Sequence, residues 1–208
     1  MTKREQTKEK RMNLIVDSAK ATFEAKGIEP CKMTDIADLA GVGVASLYRY
    51  FKTKADIAIE VGILYWHAAR EKALNAIDNQ KKGLENIENM FLIYLESTKE
   101  SEVFFRFVEQ FDYFITKLDK KPLKMNDYEQ AVVQLMPIYE EYIIKGQADH
   151  SIRLDIDIET TLTMMNHTLM ALKQKHYSRG IIITTDSKET QEKELKLLID
   201  IFLGFLRN

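Results

Sequence analysis

This chain has little that would close it covalently or break it into short pieces. It holds one cysteine, Cys31, so no internal disulfide can form, and with no second thiol to resolve an oxidised one Cys31 reads as a small packed residue. Three prolines and eight glycines in 208 residues leave few interruptions. No regular strand-turn-strand spacing breaks up the Lys, Glu, Leu, Ile, Ala and Met that favour helix. Apolar-rich stretches such as 138–144 are broken by charges, here Glu140 and Glu141, well before the roughly 18 residues of a membrane span, and the opening MTKREQTKEK has no apolar stretch of a secretion signal. A cytoplasmic protein with no membrane partner is expected. Catalytic signatures are missing as well. His67, His150, His167 and His176 form neither HExxH nor the Glu-x-x-His pairs of di-iron bundles, and there is no GxxxxGK[ST] phosphate loop or GxSxG elbow. The expectation is a protein that is not an enzyme, with no cofactor and no metal.

What is present points to a packed, all-helical chain. Hydrophobic residues make up 45% of it, enough to bury a core. The net charge of -2 conceals an asymmetry: residues 1–60 carry 11 Lys and Arg against 9 Asp and Glu, and the remainder carries 19 against 23. Lys3, Arg4, Lys8, Lys10 and Arg11 stand against Glu5 and Glu9 in the first eleven residues. Such a stretch suits phosphate and equally suits a solvated terminus, and charge alone does not choose between them.

Apolar periodicity places a first amphipathic helix from about Glu5 to Lys26, with Leu14, Ile15, Ala19, Ala21, Thr22 and Phe23 on its stripe and Gly27 at its stop. Thr34 then stands as a cap before a two-turn helix whose Ile36, Ala37 and Ala40 share a face. Gly41-Val42-Gly43 turns the chain into a third helix, Val44 to Phe51, with Leu47 and Phe51 four apart. Longer helices follow at roughly 55–80, 84–98, 102–118, 125–146, 158–178 and 188–206, about nine in all. Pro137 is expected to kink or split the fourth of these long segments. The short apolar run 181–185 is expected to be a loop bridging the last two helices.

Two short helices joined by a glycine turn are what a helix-turn-helix needs, because a recognition helix must bring compact side chains to base edges. The segment MTDIADLAGVGVASLYRYFKTKADI makes that reading specific. It resembles the signature of the TetR/AcrR family of transcriptional regulators, the likeness running from Met12 to Ile57 through Ala19, Phe23, Gly27, Thr34, Ile36, Ala37, Gly41-Val42, Leu47-Tyr48, Tyr50-Phe51 and Lys54. The resemblance implies two domains, 1–54 for DNA binding through a helix-turn-helix and 55–208 for effector binding and dimerisation. It implies that Thr34, Tyr48, Tyr50 and Lys54 hold phosphates while Val44, Ala45, Ser46 and Arg49 face the major groove. Chemistry agrees with these roles: hydroxyls and lysine clamp phosphate, Ser46 can hydrogen-bond a base, and Val44 or Ala45 can meet a thymine methyl. Arg49 suits guanine O6 and N7 or a phosphate. Gly43 departs from the Ser or Thr that commonly caps the recognition helix, and Val44 departs from the family pattern too.

Beyond Lys54 the likeness is one of architecture, with a local echo at 146–157, where His150 replaces a usual glycine and so is expected at a positive φ, and Asp157 is expected to cap the helix that follows. In the helix at 102–118 a single buried face requires Phe104, Phe107, Phe111 and Phe114, which leaves Phe105 and Tyr113 for a partner, a second core layer or solvent. Trp66, Tyr94, Phe104, Phe107, Phe111, Tyr139 and Met165 are candidates to line a pocket for a small, largely apolar effector, although aromatic and Met stripes also build ordinary core. Leu162, Met165, Leu169 and Leu172, with Leu195, Leu198, Ile199, Phe202 and Leu206, form stripes suited to a homodimer through the last two helices. The function expected is that of a repressor reading a palindromic operator in double-stranded DNA. The alternative is a helical adaptor or ligand-binding protein whose helix-turn-helix no longer binds DNA.

Overall fold

The computed structural model describes residues 2–179 and 186–208, and among these the chain is all-helical. It runs α1 (Lys3–Lys26), α2 (Met33–Leu39), α3 (Val44–Tyr50), α4 (Lys54–Asn75), α5 (Gly83–Leu92), a 3-10 turn (Ile93–Leu95), α6 (Lys99–Thr116), α7 (Met125–Val133), α8 (Met136–Ala148), α9 (Ile158–Arg179) and α10 (Lys188–Leu206). The tenth helix beyond the expected nine comes from Pro137, which sits in the first turn of α8 and separates it from α7. A proline is accommodated there because that position has no intrahelical acceptor for an N–H. The basic start is the first turns of α1: Thr2 Oγ1 accepts from the Glu5 N–H at 3.3 Å and the Glu5 carboxylate accepts from the Thr2 N–H at 2.7 Å, closing a capping box. The run 181–185 lies outside the described residues.

Two compact units emerge, Met1–Trp66 with Phe107–Val132, and His67–Arg106 with Val133–Asn208. In the first, α1 packs on α2 and α2 on α3, burying Ile15, Ala19, Phe23, Ile36, Ala37, Leu47 and Phe51. A ladder of rings backs this core: Phe107 lies 4.8 Å from Tyr65 and 5.8 Å from Phe111, which stacks on Tyr128 at 4.3 Å. The Trp66 indole N–H donates to the Tyr128 hydroxyl at 3.0 Å, so the phenol is buried with a partner.

In the second unit α5 lies against α8 where Gly83 meets Gly146; a Cβ on Gly83 would collide with the Gly146 backbone. Phe91 stacks on Tyr139 at 5.9 Å and meets Phe202 edge-on at 6.3 Å. The fully buried Asn86 fixes the loop before α5, accepting from the Asp78 N–H at 2.7 Å and donating to the carbonyls of Asp78, Lys81 and Lys82. His150 takes φ 61°, as its place in a glycine position requires, and Asp157 caps α9 by accepting from the Thr160 N–H at 2.7 Å. Phe105 joins this unit's core beside Tyr94 and Tyr177, whereas Tyr113 is exposed.

One expectation is corrected here. Of the expected stripe residues, Leu162, Met165, Leu169, Leu195, Ile199, Phe202 and Leu206 are buried within the chain itself and Leu172 and Leu198 are half-buried, because α9 and α10 pack on each other and α10 packs on α5. The large apolar side chains that remain exposed on these helices, among the described residues, are Met164, Leu197, Ile201 and Phe205. Among the described residues no helix is long and apolar enough to cross a membrane.

Candidate nucleic-acid interface

The helix-turn-helix is set by backbone contacts that explain its sequence. Helix α2 starts at Met33, one residue before the expected Thr34 cap. Its first turn is tied by the Asp35 carboxylate, which accepts from the Lys32 N–H at 2.9 Å and pairs with Lys26 at 2.9 Å; these contacts hold the Asp35 carboxyl below its usual range. Thr34 is thereby left exposed on the second helical position. The turn closes with the Val42 N–H donating to the Ala37 carbonyl at 3.0 Å and with Gly41 at φ 61°, where a side chain is strained.

Helix α3 buries Leu47 and turns its other residues outward: Ala45, Tyr48 and Arg49 are exposed, with Tyr48 at 44%, while Val44, Ser46 and Tyr50 are half-buried. Tyr48 and Tyr50 thus occupy different environments, as two residues two apart on a helix must. Arg49 Nη2 donates to Ser46 Oγ at 3.1 Å, so the two polar candidates for base contact are already linked along one face. Gly43 caps α3 at φ -65° and ψ 142° and offers no side-chain acceptor.

Lys54 has a different place from the one the resemblance implies. Its ammonium donates to the carbonyls of Ile28, Glu29 and Cys31 at 2.6, 2.7 and 2.8 Å, so the three protons a lysine owns are taken and none is left for a phosphate. Burial pushes its pKa down, and its charge also lies 5.1 Å over the Phe114 ring. Lys54 pins the loop between α1 and α2. Gln110 supports the same loop from α6, its Oε1 accepting from the Ile28 N–H at 3.1 Å, and Lys117 pairs with Glu29 at 2.7 Å. Sequence reasoning missed this support, since residues 82 apart carry no local signal of contact.

The candidate effector residues are divided between the two units. Trp66, Phe107 and Phe111 belong to the ring ladder of the first. Tyr94, Phe104, Tyr139 and Met165 belong to the second, where Tyr94 donates to Asn166 Oδ1 at 3.3 Å, Tyr139 and Met165 are buried, and Phe104 is half-buried.

Comparison with known proteins bears on the same segment. Residues 15–61 match the bacterial regulatory proteins of the tetR family. The HTH-type transcriptional repressor KstR2 of Mycobacterium tuberculosis is 31% identical over 85 residues, a match spanning 40% of this chain and 42% of that protein. KstR2 of Mycolicibacterium smegmatis is 25% identical over 170 residues, 76% of this chain and 75% of the relative. Among solved structures, a TetR-family regulator from Rhodococcus sp. superposes with a TM-score of 0.69 at 16% identity, covering 94% of this chain and 99% of that one.

Proposed function

We propose that this chain, a TetR-type transcriptional regulator and not an enzyme, is a repressor that binds a palindromic operator as a homodimer and responds to a small, largely apolar molecule. The observation that carries the reading is α3, anchored by buried Leu47 and presenting Ala45, Tyr48 and Arg49 to solvent. In this reading Thr34, Tyr48 and Tyr50 hold phosphates, and Val44, Ala45, Ser46 and Arg49 meet base edges. Lys54 contributes by bracing the loop behind α2. Functional division falls near residue 54, with residues 107–132 serving as structural support to the DNA-binding part.

Dimerisation is proposed through α9 and α10, by the face that carries Met164, Leu197, Ile201 and Phe205. The last three follow a helical i, i+4, i+8 spacing and form an apolar stripe left uncovered by the chain's own core. One seven-residue recognition helix reads too few base pairs for specificity, whereas two set roughly 34–36 Å apart read a palindrome. Effector binding acts by favouring one spacing of the two recognition helices over another.

The test is selection of bound fragments from a randomised DNA library by the purified protein, with Arg49→Ala and Tyr48→Phe compared on the best fragment. Enrichment of a palindrome is expected. Arg49→Ala should relax preference at one base pair per half-site by about 1–3 kcal/mol, and Tyr48→Phe should weaken binding to all sequences alike. No enrichment across low salt would put the adaptor reading in its place.

A further inference from the structure

We propose that the cavity between the start of α6 and helices α9 and α10 binds a small organic acid, whose carboxylate pairs with Lys173 and whose apolar tail lies between Leu95 and Leu195. The cavity, partly open to solvent, has a volume of about 280 Å³ and is lined by these three residues together with His176, Tyr177 and Gln191, among others. That volume is just under the ~300–1,000 Å³ of common small-molecule sites, which limits the ligand to a small one. None of the seven aromatic and Met candidates for an effector pocket lines it.

Lys173 carries the inference. The residue is 3% exposed, yet no carboxylate lies within ion-pair distance of it among the described residues. Its ammonium donates to the Glu96 carbonyl at 3.1 Å and to the Tyr177 hydroxyl at 3.3 Å, and it lies 4.8 Å over the Tyr177 ring and 5.9 Å over the Phe105 ring. Dipoles, ring faces and the more distant Glu192 and Glu96 carboxylates, which favour the charged form against burial, soften the charge without pairing with it. A lysine has three protons, so one remains for a ligand. The other charges on the cavity leave that proton available: Glu102 is paired with Arg106 at 3.1 Å, His176 Nε2 lies 3.3 Å from Glu194, and Glu192 and Lys188 are exposed at the rim. Burial lowers the Lys173 pKa to about 8, which still leaves the ammonium protonated at neutral pH. A buried cation flanked by Leu95 and Leu195 in an otherwise polar lining favours an anion with a hydrocarbon body over either a free inorganic anion or an uncharged molecule.

The regulatory meaning of this site rests on the proposed sensor role of the C-terminal part; the binding itself does not. The experiment is calorimetric titration of the full chain with a carboxylate series from acetate to octanoate, and with octanamide as the uncharged counterpart of octanoate. Expected are octanoate affinity well above that of acetate and octanamide, and a loss of about tenfold or more in Lys173→Met, the scale of a lost hydrogen bond to a charged group. Lys173→Met preserves length and apolar volume, and a thermal melt verifies that it stays folded; Gln191→Leu, at the other side of the same cavity, supplies a second variant that should alter octanoate affinity. Absence of binding by every carboxylate, equal binding of octanamide, or unchanged affinity in folded Lys173→Met overturns the site. Failure of the DNA selection with octanoate binding intact would overturn the operator reading and leave this one standing.

Discussion

Two lysines, one in each compact unit, show what separates a structural cation from a candidate site. Lys54 and Lys173 both have pKa values lowered by burial, and both donate to main-chain carbonyls. Lys54 meets three carbonyls within 2.8 Å, one for each proton. Lys173 meets one carbonyl and one hydroxyl, at longer distances, on the wall of a cavity. Burial lowers the pKa of both and so does not distinguish them. The distinction is whether the surroundings satisfy the cation, because a satisfied ammonium stabilises the fold while an unsatisfied one costs stability until a ligand arrives.

The sharpest way to break this comparison is to remove each charge while keeping the hydrocarbon. Lys54→Met strips three carbonyls of their donor and is expected to destabilise the chain by about 3 kcal/mol, a figure set by the loss of charge-assisted bonds less the hydration the freed carbonyls regain. For a protein of this size that lowers Tm by about 6–12 °C. A variant that melts like the wild type but loses DNA affinity, with a shallower salt slope, would restore Lys54 to phosphate binding and dissolve the contrast.

Lys173→Met is expected to move stability the other way, raising it by about 2 kcal/mol at pH 7 because an incompletely compensated buried charge is replaced by a side chain that needs no partner. The pH dependence identifies the cause. Below pH 8 Lys173 is protonated in both folded and unfolded chains, and the burial penalty is present in full. Between about pH 8 and the ordinary lysine value of 10.5 the unfolded chain holds a proton that the folded one has released, so this group makes stability rise with pH across that window. Urea unfolding at pH 7, 8, 9 and 10 should show that rise in the wild type and a smaller one in Lys173→Met. Equal slopes would mean that Lys173 is better compensated than its contacts indicate.

The same contrast explains what could be read from the sequence. The helix-turn-helix is local: Gly41, Leu47 and Phe51 act within a few residues of one another, and each carries its own signal as a turn glycine or a periodic apolar position. Pro137, His150 and Asp157 were legible for the same reason, since a split, a positive φ and a cap are decided by one residue and its neighbours. The role of Lys54 was not, because its acceptors are the carbonyls of residues 28, 29 and 31, which any side chains would supply. Periodicity likewise identified the apolar stripes of α9 and α10 without saying what covers them. On α9 the stripe faces the chain's own core, so Met165 and Leu169 are spent inside and Met164 is left outside. The cavity had no signal at all, as Leu95, Lys173 and Leu195 are brought together only by the packing of the 3-10 turn, α9 and α10.

The smallest effect concerns a helix start within the helix-turn-helix that no side chain caps. Gly43 precedes α3 at φ -65° and ψ 142°, a backbone that any residue adopts, and it supplies no acceptor for the first N–H groups of the helix. A Cβ there would meet nothing within 4 Å, so serine fits without moving a neighbour. Its hydroxyl would accept from the second or third N–H of α3, and because glycine is already a tolerable cap the gain in stability is a few tenths of a kcal/mol. That is too little to shift a melt clearly, so the measurement is amide hydrogen exchange along residues 45–48, where Gly43→Ser should slow opening relative to the wild type. Unchanged exchange would mean that α3 is held entirely by Leu47 and the buried face beneath it, and that the missing cap leaves α3 no looser than its neighbours.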